Sequence, residues 1–289
     1  MTFREKFVKR VAKRKRKVYN AGKLKKGSPL ARAERRPQGL DPEPDLDHAN
    51  VGNLALSRGQ TDFGVSAVFF IQEGLPVKVK SEQLRLYAVT DRAWAADSEA
   101  FFQQITDAID GGATFVQLRE KRLNQADFLS EAARFVALCR ERGVVSIIND
   151  NVEIAAQTGA DGVHVGQEDL EAGRARAILG PGKIIGVSAH SVEEALRAQA
   201  AGADYLGVGA AFASSTKDDA KPIARDIIRA ITAAVDIPVV AIGGITRDNI
   251  LELKGCGLDG VAVVSALFAQ PDVKAAAAEM LRRSQEIAR

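Results

Sequence analysis

From residue 84 onward, short apolar runs rich in β-branched residues alternate with stretches whose apolar positions have helical spacing. The strand candidates are LYAVT (86–90), TFVQL (114–118), VVSII (144–148), DGVHV (161–165), KIIGVS (183–188), DYLGVG (204–209), IPVVAI (237–242) and DGVAVV (259–264). The stretches between and after them predict helices over Ser98–Asp110, Gln125–Glu141, Val152–Thr158, Asp169–Leu179, Ser191–Ala201, Ile223–Val235, Arg247–Leu253 and Asp272–Ile287. Ser191 with Glu194 three residues on is a capping-box start. The strand candidates lack polar alternation, as parallel strands covered by helices do. Eight β/α units in about 205 residues predict a (β/α)₈ TIM barrel, near the lower end of that fold's size. An open doubly wound sheet would carry a GxGxxG turn after the first strand. The chain reads TDRAW there. The phrases GGATF, GADGV, GADYL and GLDGV recur before strands, each a helix-ending glycine followed by a short turn.

The first eighty residues follow no such pattern. Residues 1–36 hold 15 Lys or Arg against two acids, with KRKRK at 13–17 as the densest run. Phe3, Phe7 and Val11 would share one face of a short helix. Residues 37–80 have the Pro, Asp and Gly content of a linker, interrupted by VSAVFFI at 65–71. We expect residues 1–80 to be a basic, disordered extension and linker, and 84–289 to be the barrel. The formal charge of +3 therefore hides a split of +13 for 1–36 and −10 for 37–289. A net acidic barrel is a poor nucleic-acid binder, so any such binding would fall to the tail. No apolar run reaches the ~20 residues of a membrane span, and the basic segment lacks the apolar core of a secretory signal. Cys139 and Cys256 have no paired spacing and read as incidental thiols of a cytoplasmic protein. The oligomeric state stays open, a homo-oligomer included.

In this fold the chemistry lies at the C-terminal ends of the strands. Strand two ends in QLREK, and a period of two turns Gln117, Arg119 and Lys121 to one side, a set suited to an anion. Strand three ends in Asn149 and Asp150, and strand four leads to Asp169. Two carboxylates at adjacent strand ends call for a cation between them. Mg²⁺ fits, because it takes one or two carboxylates together with phosphate oxygens and water. Asp169 would equally cap the helix it opens, and His164 reads as a possible pocket wall rather than a ligand. Ser188, ending strand five, would either donate to a substrate or leaving group or cap the next helix. His190 beyond it reads as exposed. The long loop after strand six carries Ser214, Ser215, Thr216 and Lys217, the content of a flap that closes over phosphate. Gly243 and Gly244 after strand seven, and Val264 and Ser265 after strand eight, stand where such barrels hold phosphate on backbone N–H groups.

Taken together, LYAVTD, GGATFVQLREK, IINDNVEIAAQTGADGVHVGQED, IGVSAH, GADYLGVGAAF, STKDDA, IPVVAIGGI and GVAVVSALF resemble the thiamine phosphate synthase family over residues 84–289. The resemblance implies a transferase that joins 4-amino-2-methyl-5-hydroxymethylpyrimidine diphosphate to a thiazole phosphate, with or without a 2-carboxylate, and releases diphosphate. It also implies Gln117 and Asn149 on the pyrimidine and diphosphate side, with Arg119, Lys121 and Lys217 on the diphosphate. Asp150 and Asp169 would bind Mg²⁺, and Ser188 would lie near the departing diphosphate. Ser214, Thr216, Gly244, Val264 and Ser265 would hold the thiazole phosphate. The implied catalytic set is Arg119, Ser188 and Lys217. One departure stands out: the family has a Pro-containing phrase after strand six, and this chain reads GAAFAS (209–214). A thiazole tautomerase and a silent phosphate-ligand barrel are the alternatives. Neither needs the whole diphosphate-holding set.

Overall fold

The computed structural model describes residues 79–166, 169–213 and 222–289, without the side chains of 169–171. The basic segment, the VSAVFFI run, and Ser214, Thr216 and Lys217 lie outside the described residues.

Eight strands form one closed parallel barrel in chain order, with the first paired to the last. They are β1 (Leu86–Val89), β2 (Phe115–Leu118), β3 (Val145–Asn149), β4 (Gly162–Val165), β5 (Ile184–Ala189), β6 (Tyr205–Gly209), β7 (Val239–Ile242) and β8 (Gly260–Val263). The helices are α1 (Ser98–Asp110), α2 (Gln125–Arg142), α3 (Val152–Thr158), α4 (Asp169–Leu179), α5 (Val192–Ala200), α6 (Arg225–Ala234), α7 (Ser265–Phe268) and α8 (Val273–Ile287).

Two elements differ from the sequence reading. The helix expected over Arg247–Leu253 is a single 3₁₀ turn, Ile250–Leu253. Asn249 is the reason: its side chain accepts from the Thr246 N–H and donates to the Gly244 carbonyl, at 2.8 and 2.9 Å. Such local side-chain bonds compete with the helical ladder. The second difference is α7, a short separate helix that starts at Ser265, ahead of the long C-terminal helix.

Side chains caps set the helix starts. Asp97, Asn124, Asn151, Ser191 and Asp272 each accept a backbone N–H of the first turn. The apolar faces of the helices then pack on the outside of the barrel, around residues such as Phe101, Ile105, Phe135 and Ile231. The lumen is a second core: Tyr87, Phe115 and Tyr205 meet edge to face, with centroids 4.8–5.9 Å apart, among Leu84, Ile147, Ile184 and Val240. A barrel of this size is plugged by side chains and has no pore.

The recurring phrases before strands close the N-terminal end of the barrel. Gly112, Gly159, Gly202 and Gly257 all have positive φ, the left-handed conformation that ends a helix cheaply only at glycine. The residue two positions after each of these glycines makes a clasp. Asp161 accepts from the Ser146 N–H, Asp204 from the Ile185 N–H and Asp259 from the Val239 N–H, each at 2.8 Å. Thr114 instead donates its hydroxyl to the Gln83 carbonyl at 2.7 Å. Arg176 and Arg289 pair with Asp204 and Asp259, so two of the carboxylates are also charge-balanced.

Candidate active site

A cavity of about 180 Å³ opens at the C-terminal ends of the strands. Its walls include Gln117, Arg119, Asn149 and Ser188 on one side and Gly244, Val264 and Ser265 on the other. Phe115 belongs to the lumen core, and Arg119, one residue past β2, lines the cavity, while the period of two along the strand itself carries Gln117 inward. The alternation stops there, because β2 ends at Leu118. Lys121 is exposed on the loop beyond and does not line the cavity.

The end of β1 holds Arg119. The Thr90 hydroxyl, fully buried, accepts the Arg119 backbone N–H at 3.0 Å. The Asp91 carboxylate pairs with the guanidinium at 2.9 Å, with both side chains about one-fifth exposed or less. A bidentate-capable cation is thereby fixed at the cavity wall. Thr90 and Asp91 were not singled out in the sequence, although the TD that closes LYAVTD is the signal.

Asp150 is the one described non-glycine residue at positive φ, 59°. Such a conformation costs of order 1 kcal/mol and persists only where surrounding bonds hold it. Here the Asp150 N–H donates to the His164 carbonyl at 2.8 Å, and its carboxylate accepts from the Asn149 amide at 2.7 Å. The carboxylate is exposed and has no cation partner among the described residues. Asp169 opens α4 after the neighbouring strand, but its side chain is not among those described. Among the described residues no group of three or more His, Cys, Asp or Glu side chains could hold a metal. Any ion here would rest on one or two carboxylates and on the substrate.

His164 is a wall of the cavity, 8% exposed. Its Nδ1 lies 3.0 Å from the Tyr205 hydroxyl and its Nε2 lies 3.0 Å from Ser188 Oγ. Ser188 therefore faces the cavity, and the α5 cap is Ser191. Tyr205 continues to the Tyr87 hydroxyl at 2.8 Å, and the Gln117 amide donates to Tyr87 at 2.5 Å. Burial pushes both tyrosine hydroxyls well above the ordinary phenol range, so both stay protonated. Sequence reading singled out neither tyrosine. His190 is exposed, as read from the sequence, yet it also borders the cavity mouth and contacts Glu194.

On the opposite wall, Gly243 and Gly244 have φ of 95° and 65°. A side chain on Gly244 would collide with the Ala213 carbonyl. The loop leaving β6 is laid on this pair, with the Ala211 N–H on the Ile242 carbonyl and the Phe212 N–H on the Gly243 carbonyl. Backbone bonds thus fix this loop as far as Phe212 without the proline.

A family model described as thiamine monophosphate synthase matches residues 86–267. The chain is 47% identical over 196 residues to the thiamine-phosphate synthase of Ruminiclostridium cellulolyticum, covering 68% of this chain and 93% of that protein. It is 49% identical over 197 residues to that of Chloroflexus aurantiacus, covering 68% and 90%. The solved thiamine phosphate pyrophosphorylase from Pyrococcus furiosus superposes with a TM-score of 0.65 at 38% identity, covering 72% of this chain and 98% of that one. With its closed barrel and a strand-end cavity walled by the residues the motifs singled out, the chain belongs to the thiamine monophosphate synthase family.

Proposed function

We propose that this chain makes thiamine phosphate by joining an aminopyrimidine diphosphate to a thiazole phosphate, as a cytoplasmic enzyme acting on small molecules. The observation that carries the reading is the convergence of Gln117, Arg119, Asn149 and Ser188 on one cavity, opposite the Gly243–Gly244 and Val264–Ser265 backbone.

The C–O bond between the pyrimidinylmethyl carbon and the diphosphate breaks first, and its electron pair leaves with the diphosphate. The amino-substituted ring stabilises the cation that remains. The thiazole nitrogen then gives its lone pair to that carbon and forms the new C–N bond. No proton changes hands, so no general base is required. Arg119, held by Asp91, neutralises charge on the departing diphosphate, and Ser188 donates to it. Gln117 and Asn149 orient the pyrimidine. The β7 and β8 ends fix the thiazole phosphate, so the two reacting atoms meet in line.

Lys121, and Lys217, Ser214 and Thr216 of the β6 loop, would complete the two phosphate sites. Asp150 and Asp169 would hold Mg²⁺, and the all-oxygen donor set at Asp150 suits that hard cation. When bound, the ion would supply further positive charge beside the diphosphate.

The test is diphosphate release by the full chain with both substrates and Mg²⁺. Release should require all three components, should be abolished by a chelator, and should fall at least a hundredfold in Asp150→Ala. No release at saturating substrates would refute the reaction. Full activity of Asp150→Ala with unchanged metal dependence would refute the metal assignment alone.

A further inference from the structure

The hydrogen-bond chain through the barrel lumen has a direction, and the direction reaches the chemistry. Tyr87 and Tyr205 are 1% and 0% exposed, so each of their hydroxyl hydrogens needs an internal acceptor. The Gln117 amide nitrogen can only donate, so Tyr87 accepts from it. The Tyr87 hydroxyl has one hydrogen of its own, and its other partner among the described residues is the Tyr205 hydroxyl. Tyr87 therefore donates to Tyr205. Tyr205 in turn has one hydrogen and, among the described residues, one remaining partner, His164 Nδ1. That nitrogen must be the acceptor, so the imidazole carries its hydrogen on Nε2. Nε2 then donates to Ser188 Oγ, which leaves the Ser188 hydrogen directed at an acceptor other than His164.

We propose that Gln117, Tyr87, Tyr205 and His164 form a polarised relay that locks the His164 tautomer and makes Ser188 a hydrogen-bond donor toward the departing diphosphate. Tyr87, Tyr205 and His164 are positioning residues, acting through Ser188, and the link to diphosphate rests on the function proposed above. The opposite polarity would make Ser188 donate to His164 and present a lone pair to the leaving group, which repels it. The fold makes room for the relay with two glycines. A Cβ on Gly186 would stand 2.1 Å from the Tyr205 ring, and one on Gly207 would stand 3.1 Å from His164 Cε1.

The experiment has two independent readouts. First, ¹⁵N-histidine labelling of the full chain reports the tautomer directly. The chain has three histidines, so the His48→Gln/His190→Gln double variant leaves His164 as the single signal. The relay predicts a protonated Nε2 and an unprotonated Nδ1 in the parent, and a mixture of tautomers once Tyr205→Phe is added. A parent Nδ1–H tautomer or an imidazolium would overturn the proposal. Second, Tyr205→Phe should lower kcat for diphosphate release about tenfold with KM for both substrates within twofold, and Tyr87→Phe should lower it less. A Tyr205→Phe enzyme with a reduced melting temperature but parental kcat would mean a structural role only, and would also overturn it. Absence of turnover in the parent would instead remove the proposed function, and the tautomer measurement would still decide the relay.

Discussion

Asp259 sits at the N-terminal end of the barrel and can be used to separate stability from chemistry. It is fully buried and accepts the Val239 N–H at 2.8 Å, while Arg289 reaches it at 2.9 and 3.0 Å. Asp259→Ala strands a buried N–H, which costs about 1–3 kcal/mol. The lost ion pair adds no more than about 1 kcal/mol, because the Arg289 side chain is 43% exposed and screened by water. Asp259→Asn keeps an acceptor for Val239 and loses the charge and the half-exposed Arg289 Nε bond, so it should cost about 1 kcal/mol. For a barrel of this size each kcal/mol moves the melting temperature by about 2–4 °C. Thermal unfolding followed by circular dichroism should therefore show a drop of roughly 10 °C for Ala and about 3 °C for Asn. Diphosphate release at 25 °C should be unchanged in both, since the cavity lies at the other end of β8. Equal losses in the two variants would refute the buried-acceptor argument. Lost activity without a shifted midpoint would refute the separation of the two ends.

Gly186→Ala places a methyl 2.1 Å from the Tyr205 ring, so the tyrosine must move. We expect about 1–3 kcal/mol of destabilisation in a urea titration, together with reduced kcat. Parental kinetics would show that the lumen tolerates the displacement. Cys139 and Cys256 are both buried, and burial raises both thiol pKa values. Native protein at pH 8 should thus give almost no thiol reaction with an aromatic disulfide reagent, and both cysteines should react after denaturation. Rapid native reaction of either would contradict the packing.

Much of this molecule is readable from pattern. The strands announced themselves because most barrel positions are buried and apolar, and the alternation along β2 delivered Gln117 to the cavity, with Arg119 held just past the strand by Thr90 and Asp91. Lys121 followed the same arithmetic beyond the last paired residue, where no ladder enforces it. The 3₁₀ turn at Ile250–Leu253 was missed because Asn249 spends its side chain on local backbone groups, which an apolar period does not register. The lumen relay was invisible for a different reason. Tyr87 and Tyr205 are 118 residues apart, and only barrel closure brings their hydroxyls together. A signal did exist: of three tyrosines in the chain, two fall within strands.

The clasps at the foot of the barrel recur with a period of two strands. Thr114 ties the start of β2 to the segment before β1, Asp161 ties β4 to β3, Asp204 ties β6 to β5, and Asp259 ties β8 to β7. The barrel is thus four quarter-turns, each a pair of strands fastened within itself. The aspartate clasps span 15, 19 and 20 residues, whereas the Arg85–Asp259 bond that shuts the ring spans 174. Closing the longer loop costs about 2 kcal/mol more in chain entropy. Assembly can therefore proceed quarter by quarter, with the ring sealed last, and the grammar of that assembly is a single polar side chain placed after a turn-ending glycine.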